Sequence, residues 1–481
     1  MKTNMFDTFL LVNPPQKYYL NSGDFSISIP LNLLYVAAAV KEICQVEIFD
    51  CLVEYPENKK VETSYIYGTP YEKIREKIKE RKPKWLGIGI PFSTQGSMAV
   101  KVAEICREVS PETKIILGGS DVSIHYDKYL KDHVCDYAFI GEAELNLPLL
   151  IRNYKTVNEL LKIPGIAFIH EDNIVFNPPE YNDDLDNLPF PAYEMIDFDK
   201  YFESPYFYKN RSLTPSKSVS LITSRGCPYD CIFCSIHLHM GKKFRYHSPS
   251  YVQRHIEHLI NKYGIRYFHF EDDNFTLNTK RFSEILDNLL QYTENIHWDT
   301  PNGIRADSLN EDLINKMKQT GCFEVTFAIE SANDYVRNEI IGKKIAMGKI
   351  MENIRFLNQY NIPINAFYII GFPGEKIEQM EETIKMSIDL YKTYKVSPFL
   401  FYATPLKGTK LYDISMENNH ISKDLDEYHL STGTYLNGNP LIQTEDFSTG
   451  DLKRLAFRFL LELKKIGMPA SITNHLSKKG G

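Results

Sequence analysis

Three cysteines set the chemistry open to this chain. Cys227, Cys231 and Cys234 stand in the run Thr223-Ser-Arg-Gly-Cys-Pro-Tyr-Asp-Cys-Ile-Phe-Cys-Ser. Two short arms joining three thiolates suit one iron–sulfur cluster. A cubane cluster usually takes four cysteine ligands, so three leave one iron open to another molecule. A mononuclear zinc site fits the same spacing if His237 or His239 adds a fourth ligand. The remaining cysteines, 44, 51, 106, 135 and 322, read as buried or free thiols.

Other residues that could do chemistry are punctuated by turn signals. Glu271-Asp272-Asp273-Asn274 is an acidic cluster; its plainer reading is a solvated turn in which Asp273 or Asn274 caps a helix. Arg305 carries a fork of donors that suits a carboxylate, or else a surface salt bridge. Glu330-Ser331 offers an acceptor and a hydroxyl. Gly371-Phe372-Pro373-Gly374 reads as a tight turn. Lys343 and Lys344, and likewise Lys242 and Lys243, read best as solvated ends, with phosphate or carboxylate contact as the alternative. His237, His239 and His247 read as ordinary loop histidines. In the first third the corresponding residues are Asn13-Pro14-Pro15, Ser93-Thr94, Gly118-Gly119-Ser120 and Gly141-Glu142.

The elements that must position these residues follow from hydrophobic periodicity. Residues 1–150 alternate candidate strands (Thr8–Val12, Gln45–Asp50, Trp85–Ile90, Lys114–Leu117, Asp136–Ile140) with helices (Leu31–Ile43, Tyr71–Arg81, Ser97–Ser110, Asp127–Lys131). This order predicts a doubly wound, Rossmann-like parallel sheet of the flavodoxin type, which binds ligands beyond its strands' carboxyl ends. Residues 151–205, rich in Asn, Asp and Pro, read as an ordered connector with a small hairpin around Gly165–Val175. Residues 206–415 hold a second β/α series, with strands Val219–Thr223, Tyr267–Phe270, His297–Asp299, Glu324–Ile329, Ala366–Ile370 and Phe399–Tyr402. Six units predict a partial TIM-type (β/α)6 barrel, whose chemistry gathers at strand ends. A helix is predicted after Asn333. Residues 416–481 read as a helical C-terminal extension or cap. In both series the residues singled out above fall just after strands.

The cysteine spacing, with Phe233 before the third cysteine, resembles the signature of the radical S-adenosylmethionine (radical SAM) enzymes, and the strand-end loops of residues 1–150 resemble the cobalamin-binding domains of one of its subgroups. The resemblance implies a [4Fe-4S] cluster on Cys227, Cys231 and Cys234, with SAM bound to the open iron. It implies that Phe233, Asp272, Asp273, Arg305, Glu330, Ser331, Ile370 and Gly371 contact SAM: Arg305 or Ser331 at its carboxylate, Glu330 at the ribose, Ile369 or Ile370 against the adenine. Cobalamin would lie on Asn13, Pro14, Pro15, Ser93, Thr94, Gly118, Gly119, Ser120, Gly141 and Glu142. The D-x-H-x-x-G motif of many cobalamin proteins is absent, since Asp121 and His125 stand four apart, so no histidine of that motif ligates cobalt. The implied activity is methylation of an unactivated carbon, with cobalamin as methyl carrier. The alternative is a cyclisation, rearrangement or carbon–carbon coupling on the same architecture, with or without bound cobalamin. A methylthiotransferase would need a second cluster, and a cobalamin sensor would leave the barrel-end residues unexplained.

The bulk properties narrow the partners. A chain of 481 residues with 43% apolar residues holds two or three domains with large cores. A net charge of −7 gives no electrostatic footprint for nucleic acid. No run reaches the ~18 apolar residues of a membrane span, and Met1–Asp7 lacks the order of a signal peptide. A cytoplasmic enzyme is expected. Its substrate would be a small molecule, lipid or peptide, and its electron donor a flavodoxin or ferredoxin.

Overall fold

The computed structural model describes residues 7–22, 25–207, 217–292, 296–422 and 425–468. Most of the N-terminal stretch considered for a signal peptide and the polar Lys-Lys-Gly-Gly end lie outside them. The chain divides into two units: residues 1–20, 24–211 and 237–241 form unit 1, and residues 21–23, 212–236 and 242–481 form unit 2.

Unit 1 runs β1 (Thr8–Asn13), β2 (Gln16–Tyr19), α1 (Leu31–Val40), β3 (Gln45–Asp50), β4 (Glu57–Val61), β5 (Ser64–Gly68), α2 (Tyr71–Arg81), β6 (Trp85–Gly89), α3 (Gly96–Val109), β7 (Lys114–Gly118), α4 (Ser120–Lys131), β8 (Tyr137–Phe139), α5 (Leu147–Arg152), α6 (Val157–Leu160), β9 (Ile166–His170), β10 (Asn173–Phe176) and α7 (Phe198–Phe202). The main sheet has the order β10-β9-β8-β7-β6-β1-β3. From β3 to β8 the neighbours are parallel, which is the flavodoxin-like order with its switch point between β1 and β6. Alternation along β1 divides the core between the two faces. Leu10 and Val12 join Ile74, Val102, Val122 and Leu130 of α2, α3 and α4, while Phe9 and Leu11 join Ala37, Val40 and Leu150 of α1 and α5.

Two features of unit 1 depart from the sequence reading. The β2-β5-β4 sheet is an antiparallel excursion from the ends of β1 and β3. The stretch expected as a connector clusters with unit 1: its β9–β10 hairpin extends the main sheet antiparallel, and α7 places the Tyr201 hydroxyl 2.7 Å from Asp50 Oδ2.

Unit 2 contains β11 (Ser218–Leu221), β12 (Ser224–Arg225), β13 (Arg245–Tyr246), α8 (Pro249–Tyr263), β14 (Tyr267–Phe270), α9 (Thr279–Leu289), β15 (His297–Ile304), α10 (Glu311–Gln319), β16 (Cys322–Glu330), α11 (Met347–Gln359), β17 (Ile364–Ile370), α12 (Ile377–Tyr394), β18 (Ser397–Tyr402), α13 (Lys410–Glu417), α14 (Glu427–Gly433) and α15 (Thr449–Lys465). Six parallel strands pair in chain order, β11-β14-β15-β16-β17-β18, the topology of the predicted partial barrel. Apolar stripes bury Val252, Ile256 and Leu259 on α8 and Phe282, Ile285 and Leu289 on α9. The helix predicted after Asn333 is a single π turn, Val336–Ile340. Among the described residues no helix is long and apolar enough to cross a membrane.

Candidate functional site

The cysteine loop of unit 2 is tied shut at its base. The short strands β12 and β13 pair antiparallel across it, Ser224 with Tyr246 and Arg225 with Arg245. Beneath them sits Asp272, from the end of β14. Its carboxylate accepts from Thr223 N at 3.1 Å, from the Thr223 hydroxyl at 2.8 Å and from the Ser224 hydroxyl. Arg281 on α9 donates to the carbonyls of Thr223 at 2.9 Å and His247 at 2.8 Å. Burial lifts the Asp272 carboxyl above its ordinary range, opposed by Arg281 and these donors. Asp272 therefore holds the loop's root.

Asp273 is half-buried and accepts from Gly226 N at 3.3 Å, just before Cys227. Burial first, then repulsion from Asp272, pushes its carboxyl up to about 7. Neither Asp273 nor Asn274 caps α9; that cap is Asn278, which accepts from Arg281 N. Asn274 is buried with Oδ1 unpartnered among the described residues, and its side chain bonds the Cys227 sulfur.

The three cysteines differ from the other five, which are buried; Cys227, Cys231 and Cys234 are half-buried. Desolvation raises all three thiols, Cys234 to about 12, and the neighbouring sulfurs add to the rise of Cys231 and Cys234. Backbone N–H groups of Tyr229 and Ile236 point at the Cys227 and Cys234 sulfurs. Among the described residues no three His, Cys, Asp or Glu side chains form a ready mononuclear metal site. The Phe233 ring lies 6.0 Å from that of Phe372, in the turn after β17.

Arg305 follows β15, but its fork is engaged. Nε and Nη2 reach both oxygens of Asp307 at 3.1 and 3.0 Å, while Nη1 and Nη2 donate to the carbonyls of Lys343 and Lys344 at 2.8 and 3.2 Å. The guanidinium also stacks 3.9 Å over the ring of Tyr229, inside the cysteine loop. Ser331 is engaged too: its hydroxyl meets that of Thr383 on α12 at 3.1 Å and accepts from Asn333 N. Glu330 ends β16 with φ +67, in the left-handed region that a non-glycine residue rarely occupies. Its carboxylate pairs with Lys343 at 2.6 Å, and both side chains are buried. Lys343 is thus a buried cation, not a solvated helix end. Lys242 does lie at the surface, paired with Asp230.

The pair Ile369 and Ile370 splits as strand alternation requires. Ile370 is fully buried and Ile369 half-exposed, so of the two only Ile369 keeps a surface that a ligand could meet. Gly371, at φ +93, donates its N–H to Glu375 Oε2 at 2.8 Å, and a Cβ there would lie 3.0 Å from Leu452 of α15. Burial pushes the Glu375 carboxyl up to about 8.

In unit 1 the expected loops gather at the carboxyl ends of the adjacent strands β1, β6, β7 and β8. Asn13 Nδ2 donates to Asp50 Oδ1 at 2.9 Å, and Pro14 and Pro15 are buried, with Pro15 against Gly68. These three residues brace the loop. Ser93 bonds Asp121, whose oxygens also meet His125 at 2.9 Å and Tyr129 at 2.5 Å. Gly119 has φ +116, and a Cβ there would fall 2.5 Å from the Ile90 carbonyl. Gly118-Gly119 is therefore where two strand-end loops cross backbone to backbone. Ser120 opens α4, Thr94 is half-buried, and Gly141 N donates to Ser123 at 3.0 Å beside the buried Glu142. Phe92, next to Ser93, is 65% exposed.

Two family models match the chain. The radical SAM superfamily model matches residues 221–387, and the B12 binding domain model matches residues 25–151. An uncharacterised methyltransferase of Pyrococcus horikoshii is 29% identical over 93% of this chain and 90% of its own. Cytidylyl-2-hydroxyethylphosphonate methyltransferase of Streptomyces wedmorensis is 27% identical over 85% and 82%. The anaerobic magnesium-protoporphyrin IX monomethyl ester cyclase of Cereibacter sphaeroides is 26% identical over 66% and 51%. Among solved structures, the cobalamin-dependent SAM radical enzyme OxsB shares the fold, with a TM-score of 0.71 at 16% identity over 98% of this chain and 70% of that one. Two matched domains in this order, over a switch-point sheet and six parallel strands, place the chain in a family: it belongs to the radical SAM enzymes that carry a B12-binding domain.

Proposed function

We propose that this enzyme methylates an unactivated carbon, with a [4Fe-4S] cluster on Cys227, Cys231 and Cys234, SAM on the cluster's open iron, and cobalamin on unit 1. The observation that carries the reading is the contrast among the cysteines. Three half-buried thiols share one loop with N–H donors aimed at two of the sulfurs, while the other five are buried singly. That donor set fits an anionic cluster. The unit 1 loops fit a large flat ligand by a different route, with backbone and small residues at a switch point.

Held there, the cluster would supply the electron for reductive cleavage of SAM, and cobalamin would supply the methyl group. The chain's part is orientation and exclusion of water. Asp272 and Arg281 hold the root of the cysteine loop, and Asp273 lines it. Glu330 would meet the ribose, and Ile369 with Gly371 would seat the adenine near Phe233. The substrate is a small molecule, lipid or peptide. The enzyme works in the cytoplasm with a flavodoxin or ferredoxin as reductant. A second reading, cyclisation on the same architecture, is favoured by the cyclase relative.

Anaerobically purified protein tests this. About four irons per chain with cobalt, deoxyadenosine formed under dithionite, and a product heavier by one methylene unit support methyl transfer. A product of unchanged carbon count favours cyclisation. Zinc in place of iron ends the proposal.

A further inference from the structure

Successive side chains of the turn after β14 grip the cysteine loop in order. Asp272 accepts from Thr223 N and from the hydroxyls of Thr223 and Ser224. Asp273 accepts from Gly226 N at 3.3 Å. Asn274, the next side chain, reaches the next residue and bonds the Cys227 sulfur. Its Oδ1 has no partner among the described residues, so the bond to sulfur is made by Nδ2, a donor.

Asn274 is fixed there by its neighbours. Phe275 is buried, with its ring stacked 4.3 Å from that of Phe270 and edge-on to that of Phe282 at 5.0 Å. The Thr276 hydroxyl meets that of Ser308 at 2.5 Å, and Leu277 N donates to the Asn274 carbonyl at 3.2 Å. Asn274 itself is 2% exposed. Burying an amide with its oxygen unmet is costly, and a leucine of similar size would fill the space without that cost. What the amide adds is the N–H on sulfur. Cys227 also receives the Tyr229 N–H, and Cys234 that of Ile236. Those backbone donors come with the path of the loop, whereas the donor from Asn274 is set by the type of side chain.

We propose that Asn274 is a positioning residue that raises the reduction potential of the cluster through the Cys227 sulfur. This rests on the radical SAM reading above. Reduction adds negative charge that the sulfurs share, and a fixed N–H holds the reduced state more strongly than the oxidised one. One electron arrives from the reductant; Asn274 keeps its proton, and no covalent bond is made or broken.

The test is a redox titration of cluster-reconstituted protein without SAM, with dithionite as reductant and the reduced cluster read by electron paramagnetic resonance. Asn274→Leu should lower the one-electron reduction equilibrium about tenfold, a fall of about 59 mV, with iron content kept. An unchanged potential in Asn274→Leu that keeps its iron overturns the proposal. If Asn274→Leu loses its iron, Asn274→Ala, which leaves space instead of filling it, serves the same comparison. Iron lost from both variants, or a wild-type potential in whatever cluster they retain, marks a purely structural role and overturns the proposal too. Wild type that takes up no reducible iron overturns the underlying radical SAM reading instead.

Discussion

The two units meet the same problem, polar ligands beyond parallel strands, with opposite materials. At the strand ends of unit 1, beside the side-chain partners of Asp50 and Asp121, bare backbone meets bare backbone: Gly119 lets one loop cross another where a Cβ would sit 2.5 Å from Ile90 O. At those of unit 2 the loops are charged side chains locked to one another: Asp272 under the cysteine loop, Arg305 against Asp307, Glu330 with Lys343. Bare backbone suits a broad ligand that needs close approach. A prebuilt charge network suits a small ligand with charges of its own, since its dipoles need not reorganise on binding. Function by backbone tolerates many side chains but no Cβ at its crossings; function by charge network fails when one partner is removed.

The contrast can be broken most severely at the sulfurs. Cys227→Ala, Cys231→Ala or Cys234→Ala should abolish iron binding and absorbance near about 400 nm, whereas Cys322→Ala, in the core of the same unit, should retain both. Metal analysis and spectra decide it, and retained iron in all three loop variants would falsify the cluster assignment. Next comes the crossing in unit 1. Gly119→Ala forces a side chain into left-handed backbone against Ile90 and should cost roughly 1–3 kcal/mol. Cobalt retention should fall while iron is kept; loss of both together would deny the units separate roles.

Asp272→Asn probes the network beneath the cysteine loop. An amide cannot accept from Thr223 N, the Thr223 hydroxyl and the Ser224 hydroxyl as the carboxylate does, and the expected loss is about 2–3 kcal/mol in thermal or denaturant unfolding. An unchanged midpoint would show that β12 and β13 close the loop unaided.

The last test uses pH. Burial raises Glu375 from 4.5 to about 8 in unit 2 and Asp50 from 3.8 to about 6 in unit 1. A raised carboxyl stabilises the fold below its unfolded value, and that stability is lost as pH climbs to its folded value. Wild type should therefore lose stability relative to Glu375→Gln at roughly 1.4 kcal/mol per pH unit between pH 4.5 and 8. The difference from Asp50→Asn should stop growing near pH 6. A flat difference in either variant removes that carboxyl from the account.

Much of this was legible in sequence because local rules carried it. β14 and α2 fall on the residues that periodicity picks out, and turn signals put the candidate residues at strand ends. The β2-β5-β4 excursion was not legible. Glu57-Asn-Lys-Lys-Val61 is exposed almost throughout, so it lacks the apolar alternation that announces a strand. Arg305 was legible as a carboxylate fork, but its carboxylate is Asp307, two residues away.

The sequence by itself determined the cysteine spacing, the alternation of strand and helix, and hence the two architectures, because each depends on neighbours within a few residues. Only the tertiary structure decided which charges are free to act. Lys343 looks like any solvated lysine until β16 ends in strained backbone and turns Glu330 toward it. Burial and partnership are set by residues distant along the chain, and no local pattern records them.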